Sequence, residues 1–120
     1  MIHETAIVDK KAKISDSAVI GPYSIIGPLV EIEDGSEIQS HVILQGDTTI
    51  GKNTKIFPFA SIGTSPQDLK YSGEQTKLEI GNNNIIREYV TINIGTRGGG
   101  GITKIENSNL IMIGAHIAHD

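Results

Sequence analysis

The sequence predicts an all-β fold in which short strands stack as the coils of a solenoid. A large aliphatic residue occupies every sixth position from Ile2 to Ile62 without a break. Isoleucine dominates these positions, and its β-branched side chain favours strands over helices. A period of six is a multiple of the two-residue strand period, whereas helices repeat their apolar residues three or four apart. Because one hexad cannot bury its own apolar residue, the repeats must stack to form a continuous core.

A second series of small or β-branched residues lies four positions after each aliphatic and is also expected to point inward. It comprises Ala6, Ala12, Ala18, Ser24, Val30, Ser36, Val42, Thr48, Thr54 and Ala60. Gly and Asn between the apolar positions, as at Gly51 and Asn53, predict the corners. Three hexads close a triangular coil of eighteen residues, so aliphatics eighteen positions apart are expected to stack in columns. The columns are Ile2, Ile20, Ile38 and Ile56; Val8, Ile26, Leu44 and Ile62; and Ile14, Ile32 and Ile50.

The repeat is interrupted twice, and each interruption predicts a loop that protrudes from the solenoid. The first lies near residues 64–79 and contains Pro66, Gly73 and several charged residues. The second lies near residues 94–104 and contains a run of four glycines. This run lacks the Lys-Ser/Thr ending of a phosphate-binding loop, which favours a flexible surface loop.

Residues 1–120 are predicted to form one β-helix domain. The chain stops at Asp120, inside a hexad, where a solenoid would leave its core uncovered. We interpret this as a truncation of a longer solenoid.

Composition excludes several classes of function. The net charge is −4 and the ten Lys and Arg are scattered, which argues against nucleic acid as a partner. Two Phe and three Tyr are too few for a base-stacking platform. Cysteine is absent, which is compatible with a reducing compartment. With no basic start and no long apolar run, neither a signal peptide nor a transmembrane segment is expected, and a cytoplasmic location is predicted.

The segment at residues 115–120, Ala-His-Ile-Ala-His-Asp, carries candidate catalytic groups. Neither His116 nor His119 falls on an inward position of the hexad, so both are expected at the surface. A neutral imidazole can accept a proton from an alcohol, and Asp120 could orient the ring of His119. Two alternatives are a pair of solvated histidines and a metal pair, although His-x-x-His without further ligands is a weak zinc signal.

The first predicted loop carries candidate binding groups. Asp68 could accept hydrogen bonds from sugar hydroxyls, and Lys70 could meet a phosphate as a point charge. A charged loop on a rigid scaffold is a suitable place for such groups, although a solvated loop without a ligand is the simpler interpretation.

The hexads resemble the hexapeptide-repeat proteins, which implies a left-handed parallel β-helix. Residues 67–71 (Gln-Asp-Leu-Lys-Tyr) and 115–120, with a second loop opening at Gly95-Thr96, resemble the N-terminal part of the UDP-N-acetylglucosamine 3-O-acyltransferases. The resemblance implies a homotrimer with active sites between subunits. It also implies the first step of lipid A synthesis, in which a 3-hydroxyacyl chain passes from acyl carrier protein to the sugar 3-hydroxyl of UDP-N-acetylglucosamine. No cofactor is implied besides the acyl carrier protein thioester, which is a co-substrate, and no metal.

Carried over residue by residue, the resemblance makes His119 the catalytic base and Asp120 its partner. The residues matching substrate-contacting positions are Gln67, Asp68, Lys70 and His116. Asn93 stands where family members often have a histidine, which puts a role at that position in doubt.

Three other functions fit parts of the sequence. A related N-acyltransferase of the same pathway, or one that acts on an amino-sugar analogue, would share the hexads. A zinc enzyme of the γ-carbonic anhydrase type would need three histidine ligands per metal. A non-catalytic solenoid, such as an ice-binding module, would favour flat Thr-rich faces, which the two loops interrupt.

Overall fold

The computed structural model describes residues 1–67, 69, 72–73 and 75–118, and these form the predicted all-β, left-handed parallel β-helix. The strands are short and follow the hexads. They are β1 (Ile7–Val8), β2 (Lys13–Ile14), β3 (Val19–Ile20), β4 (Ile25–Ile26), β5 (Glu31–Ile32), β6 (Glu37–Ile38), β7 (Ile43–Leu44), β8 (Asp47–Ile50), β9 (Lys55–Ile56), β10 (Ser61–Thr64), β11 (Lys77–Ile80), β12 (Ile85–Ile86), β13 (Thr91–Asn93), β14 (Ile102–Ile105), β15 (Leu110–Ile111) and β16 (His116–Ile117). None of the described residues forms a helix long and apolar enough to cross a membrane.

Three parallel sheets form the sides of the triangular coil. The first sheet has the order β1-β4-β7-β10-β13-β16, the second β14-β11-β8-β5-β2, and the third β15-β12-β9-β6-β3. Neighbouring strands in a sheet come from successive coils, so Ile7 pairs with Ile25 and Ile25 with Ile43, eighteen residues apart. Each side of the coil is therefore a ladder of equivalent hexads.

The predicted columns of aliphatic residues form the core. Ile2, Ile20, Ile38 and Ile56 are successive pairing partners. Members inside the columns, such as Ile20, Ile38 and Leu44, are at most 1% exposed, which confirms the predicted core. The second inward series is buried from Ala18 to Ala60 and half-buried before it.

Two serines of that second series satisfy backbone groups inside the coil. Ser36 donates to the Gly51 carbonyl at 2.6 Å and accepts from the Thr54 amide at 3.1 Å. Ser24 bonds the Gln39 carbonyl and the Val42 amide in the same way. A hydroxyl at this position thus links its own coil to the next one.

Replacing Ser36 by alanine should therefore lower the free energy of unfolding by about 1–3 kcal/mol, since it leaves a buried amide and a buried carbonyl unpaired. Urea unfolding followed by circular dichroism measures the loss. Ser61→Ala is the matched control, since Ser61 faces outward on β10, and it should change stability by less than about 0.5 kcal/mol. Equal losses in the two variants would show that the hydroxyl of Ser36 has no special role.

The strands that follow the two loops begin earlier than the sequence predicted. The first loop was predicted near 64–79, but Lys77–Ile80 pairs with Asp47–Ile50 and Ile102–Ile105 as a four-residue strand. The second was predicted near 94–104 and occupies residues 94–101, because Ile102 already pairs with Lys77. Lys77 and Glu79 in the first of these strands, and Thr103 and Lys104 in the second, are polar, so the sequence did not reveal where the strands begin.

Four aromatic rings stack at the corner that precedes the first sheet, and we call Tyr23, His41, Phe59 and Tyr89 the aromatic ladder. Successive ring centroids are 5.2, 5.1 and 5.4 Å apart. All four residues have left-handed backbones with φ of 56–68°. The predicted asparagine corner occurs at Asn53, with φ of 53°, but the sequence did not predict aromatic residues in this conformation.

Candidate functional site

His116 lies on the outer surface of the first sheet, as predicted. It is the first residue of β16, its side chain is exposed, and its Nδ1 is 2.7 Å from the Thr91 hydroxyl of the neighbouring strand. Thr91 and His116 are direct pairing partners, so the sheet register brings the two side chains together. This contact engages Nδ1 of the imidazole, and the tautomer of the ring decides which of the two atoms donates.

The sheet order places the strand before the first loop and the described part of the second motif in the same sheet. The first loop leaves β10, and β10, β13 and β16 are consecutive strands of the first sheet. At one strand spacing each, β10 and β16 are roughly 10 Å apart. Gln67, which is exposed, follows β10 by three residues, so the loop begins two strands away from the strand that carries His116. His119, Asp120, Asp68 and Lys70 lie outside the described residues, and their roles stay predictions.

Asn93 is a site residue whose role the sequence left in doubt. It ends β13, is 3% exposed, and donates from Nδ2 to the Thr64 hydroxyl oxygen at 2.8 Å. Its Oδ1 is buried and has no hydrogen-bond partner. An unpaired buried acceptor costs about 1–3 kcal/mol, so the burial of this oxygen does not itself stabilise the fold. The hexad register makes Ile92 the inward residue, so the burial of Asn93 could not be predicted from the repeat.

A bulge at Gly63 places Thr64 against Asn93. The pairing of β10 with β13 shifts between Ile62 and Thr64, so that Thr64 lies opposite Asn93. Gly63 has φ of 84°, and a Cβ atom there would overlap the Gln45 carbonyl oxygen. Bulges next to functional sites commonly redirect a side chain, and here the redirected residue is Thr64.

An apolar strip runs along the outer surface of the first sheet below these polar residues. Ile7, Ile25 and Ile43, on successive strands, are 67%, 44% and 38% exposed. They occupy the same column as Ser61, Thr91 and His116. The aromatic ladder lies at the adjoining corner, so apolar side chains cover both the face and its edge.

The charged groups at that corner are paired. The Arg87 side chain donates to Glu88 at 2.9 Å, and this hydrogen bond holds the pKa of the Glu88 carboxyl below its usual value. The Arg87 guanidinium also lies 4.4 Å from the centre of the Phe57 ring. The charges of Arg87 and Glu88 beside Tyr89 therefore offset each other.

No group of three His, Asp or Glu side chains in the described part of the chain is placed to hold a metal ion. His3, for example, bonds the Thr5 hydroxyl, and His41 stacks in the aromatic ladder. The described histidines thus have neighbours that are not metal ligands.

A family model described as the GMPPB C-terminal domain matches residues 2–65, just over half of the chain. The matched region ends where the first loop begins, so it contains uninterrupted hexads and neither of the two motifs. This match therefore reflects the hexad repeat and carries no information about the two motifs.

Similarity to individual proteins covers the motifs as well. An acyl-carrier-protein-dependent UDP-N-acetylglucosamine O-acyltransferase of Rickettsia peacockii (strain Rustic) is 52% identical over 119 residues, which are 99% of this chain and 45% of that protein. The enzyme of the same name from Thermodesulfovibrio yellowstonii is 55% identical, over 99% of this chain and 46% of its own length. The crystal structure of UDP-N-acetylglucosamine O-acyltransferase from Moraxella catarrhalis is 56% identical with a TM-score of 0.97, over 99% of this chain and 46% of that one. The chain therefore spans about half the length of these relatives.

Proposed function

We propose that this chain, which belongs to the family of the GMPPB C-terminal domain, is part of an acyltransferase that acts on UDP-N-acetylglucosamine. The acyl donor is the thioester of acyl carrier protein, and the acceptor is the sugar 3-hydroxyl. The observation that carries the proposal is more than 50% identity over 119 residues, including both loops and both motifs. The reaction would be the first step of lipid A synthesis, and the lack of cysteine suits the proposed cytoplasmic location.

The chemistry requires a base, an electrophile and a site that brings them together. The sugar hydroxyl is a poor nucleophile until its proton is accepted, which is the role proposed for His119. As the oxygen bonds to the thioester carbonyl, the C–S bond breaks and the carrier thiol leaves with a proton. In this proposal Asp120 orients the imidazole, while Gln67, Asp68, Lys70 and His116 bind the sugar nucleotide.

The decisive experiment uses the full-length protein, UDP-N-acetylglucosamine and a 3-hydroxyacyl carrier protein. Mass spectrometry should detect a sugar nucleotide heavier by one acyl group, and the 3-deoxy sugar nucleotide should give no product. Acylation of a 3-amino analogue but not of the 3-hydroxyl sugar would show that the enzyme is an N-acyltransferase and not an O-acyltransferase. Absence of product from both substrates would overturn the proposal.

We also propose that the protein is a homotrimer whose subunits meet on the apolar strip of the first sheet. A monomer would expose Ile7, Ile25 and Ile43 in one continuous column, and contiguous exposed apolar patches of this kind mark interaction sites. His116 lies in the same column, so a neighbouring subunit on this face would adjoin the candidate site. The strip supports a shared interface, and three subunits are what the resemblance of the sequence implies.

Ile25→Lys should therefore convert the full-length trimer to smaller species, because it buries a charge at the centre of the strip. Light scattering after gel filtration measures the mass. Leu29→Lys is the control, since Leu29 is 58% exposed and lies off the strip. A monomeric parent protein, or a trimer that Ile25→Lys leaves intact, contradicts the proposed interface.

A further inference from the structure

The hydroxyl of Thr64 has a defined direction. Thr64 is half-buried at the end of β10, and its Oγ1 accepts the Asn93 Nδ2–H at 2.8 Å. The Thr64 carbonyl is already used, since it accepts from the Ile94 amide at 3.0 Å. Within the described part of the chain the Thr64 hydroxyl has no acceptor for its own hydrogen. With one lone pair taken by Asn93, the hydroxyl can donate that hydrogen to a ligand on the partly exposed side of the residue.

The orientation of the Asn93 amide follows from its burial. In the observed orientation one carbonyl oxygen is left unpaired. The reverse orientation would let Asn93 accept from Thr64, but it would bury an amide nitrogen with two unsatisfied hydrogens. Unpaired buried N–H groups are rarer than under-satisfied carbonyls, so the observed orientation is favoured. Asn93 is thus a donor, and Thr64 is left as a donor toward the surface.

The contacts that the described residues make with Thr64 are uncharged. Gly63 precedes it, Ile94 bonds its backbone, and Asn93 bonds its side chain. Sites that hold phosphate normally present cationic side chains, which make stronger, charge-assisted hydrogen bonds. A neutral hydroxyl in neutral surroundings is better matched to a neutral carbonyl oxygen.

We propose that Thr64 binds the acetamide carbonyl of the sugar substrate and that Asn93 is the positioning residue that aims the Thr64 hydroxyl. This inference rests on the proposed function, which supplies a substrate containing that acetamide. A substrate contact made by Thr64 would explain why Asn93 is buried with an unpaired oxygen. It would also explain why the bulge at Gly63 brings the two residues together. The pair lies on β10 and β13, beside the strand that carries His116.

Calorimetric titration of the full-length protein with UDP-N-acetylglucosamine, UDP-glucose and UDP tests the contact to the acetamide. Thr64→Val keeps the shape of the side chain and removes the donor, so it should weaken binding of UDP-N-acetylglucosamine about three- to tenfold. Binding of UDP-glucose and UDP should change less than twofold, and Thr64→Ser should restore the parent affinity. Equal weakening for all three ligands, or none, overturns the assignment of Thr64.

The role of Asn93 is tested by reversing its hydrogen bond. In Asn93→Asp the carboxylate accepts the Thr64 hydrogen, so the hydroxyl turns lone pairs toward the substrate and affinity should fall at least as far as in Thr64→Val. In the Thr64→Val background the same change should cause no further loss, whereas a merely structural role would add its loss in both backgrounds. Additive losses overturn the positioning role.

The parent protein separates this inference from the proposed function. If the parent binds no UDP-N-acetylglucosamine, the proposed function fails. If it binds the ligand and the Thr64 variants match it, only the inference fails. Thermal unfolding confirms that each variant is folded, and if Asn93→Asp does not fold, the comparison of Thr64→Val with Thr64→Ser decides.

Discussion

His119→Ala should reduce turnover by about 10²–10⁴-fold, the usual contribution of a positioned general base. The hexad register places residue 119 away from the inward positions, so the fold should not need the imidazole. Binding of UDP-N-acetylglucosamine should change far less, because a base acts mainly in the transition state. Steady-state kinetics of the full-length enzyme, together with calorimetric binding, measure the two effects separately.

Two further variants test the roles proposed for the other site residues. Asp120→Asn should lower turnover in the same direction by misorienting the imidazole. Asp68→Ala should instead weaken sugar nucleotide binding, because its proposed contact is made in the ground state. A folded His119→Ala enzyme with turnover near that of the parent would exclude His119 as the base.

Gly63→Ala should be the most destabilising single change at the site, lowering the free energy of unfolding by about 3–5 kcal/mol. The new methyl group would overlap the Gln45 carbonyl and the Thr48 hydroxyl, which are themselves joined at 2.8 Å. The left-handed φ of 84° adds strain for any residue with a Cβ. Chemical denaturation with circular dichroism measures the loss.

Gly73→Ala is a close control for this effect. Gly73 has nearly the same φ, 83°, but a Cβ there meets nothing within 4 Å. It should therefore show the backbone strain alone, about 1–2 kcal/mol. If the two variants lose the same stability, the close approach at Gly63 contributes nothing and the bulge is not held by packing.

The repeating part of the fold could be predicted from the sequence because a period of six fixes which side chains point inward. Ile20, Ile38 and Ile56 occupy equivalent positions, so one geometric rule places all of them. The resemblance that suggested the chemistry came from residues 67–71, in the first interruption of the repeat, and from residues 115–120, in its last hexads. The predicted exposure of His116 followed from the same register.

The features that escaped prediction depend on contacts between coils. The bulge at Gly63 arises because Gln45, on the preceding coil, approaches too closely for a side chain. The Asn93–Thr64 pair spans 29 residues and requires that bulge, so neither residue alone signals it. The strand beginnings at Lys77 and Ile102 are likewise set by pairing with each other.

The aromatic ladder also provides an optical signal of coil stacking. The chain has three tyrosines and no tryptophan, and Tyr23 and Tyr89 both belong to the ladder. Each ring comes from a different coil, so the near-ultraviolet dichroism of the stack should disappear when coils separate, even if individual hexads keep some extended structure. Because repeats in a solenoid contact only their neighbours, separation can begin at one end. Near- and far-ultraviolet melting curves that fail to coincide would reveal coil-by-coil unfolding of the native protein without any added chromophore.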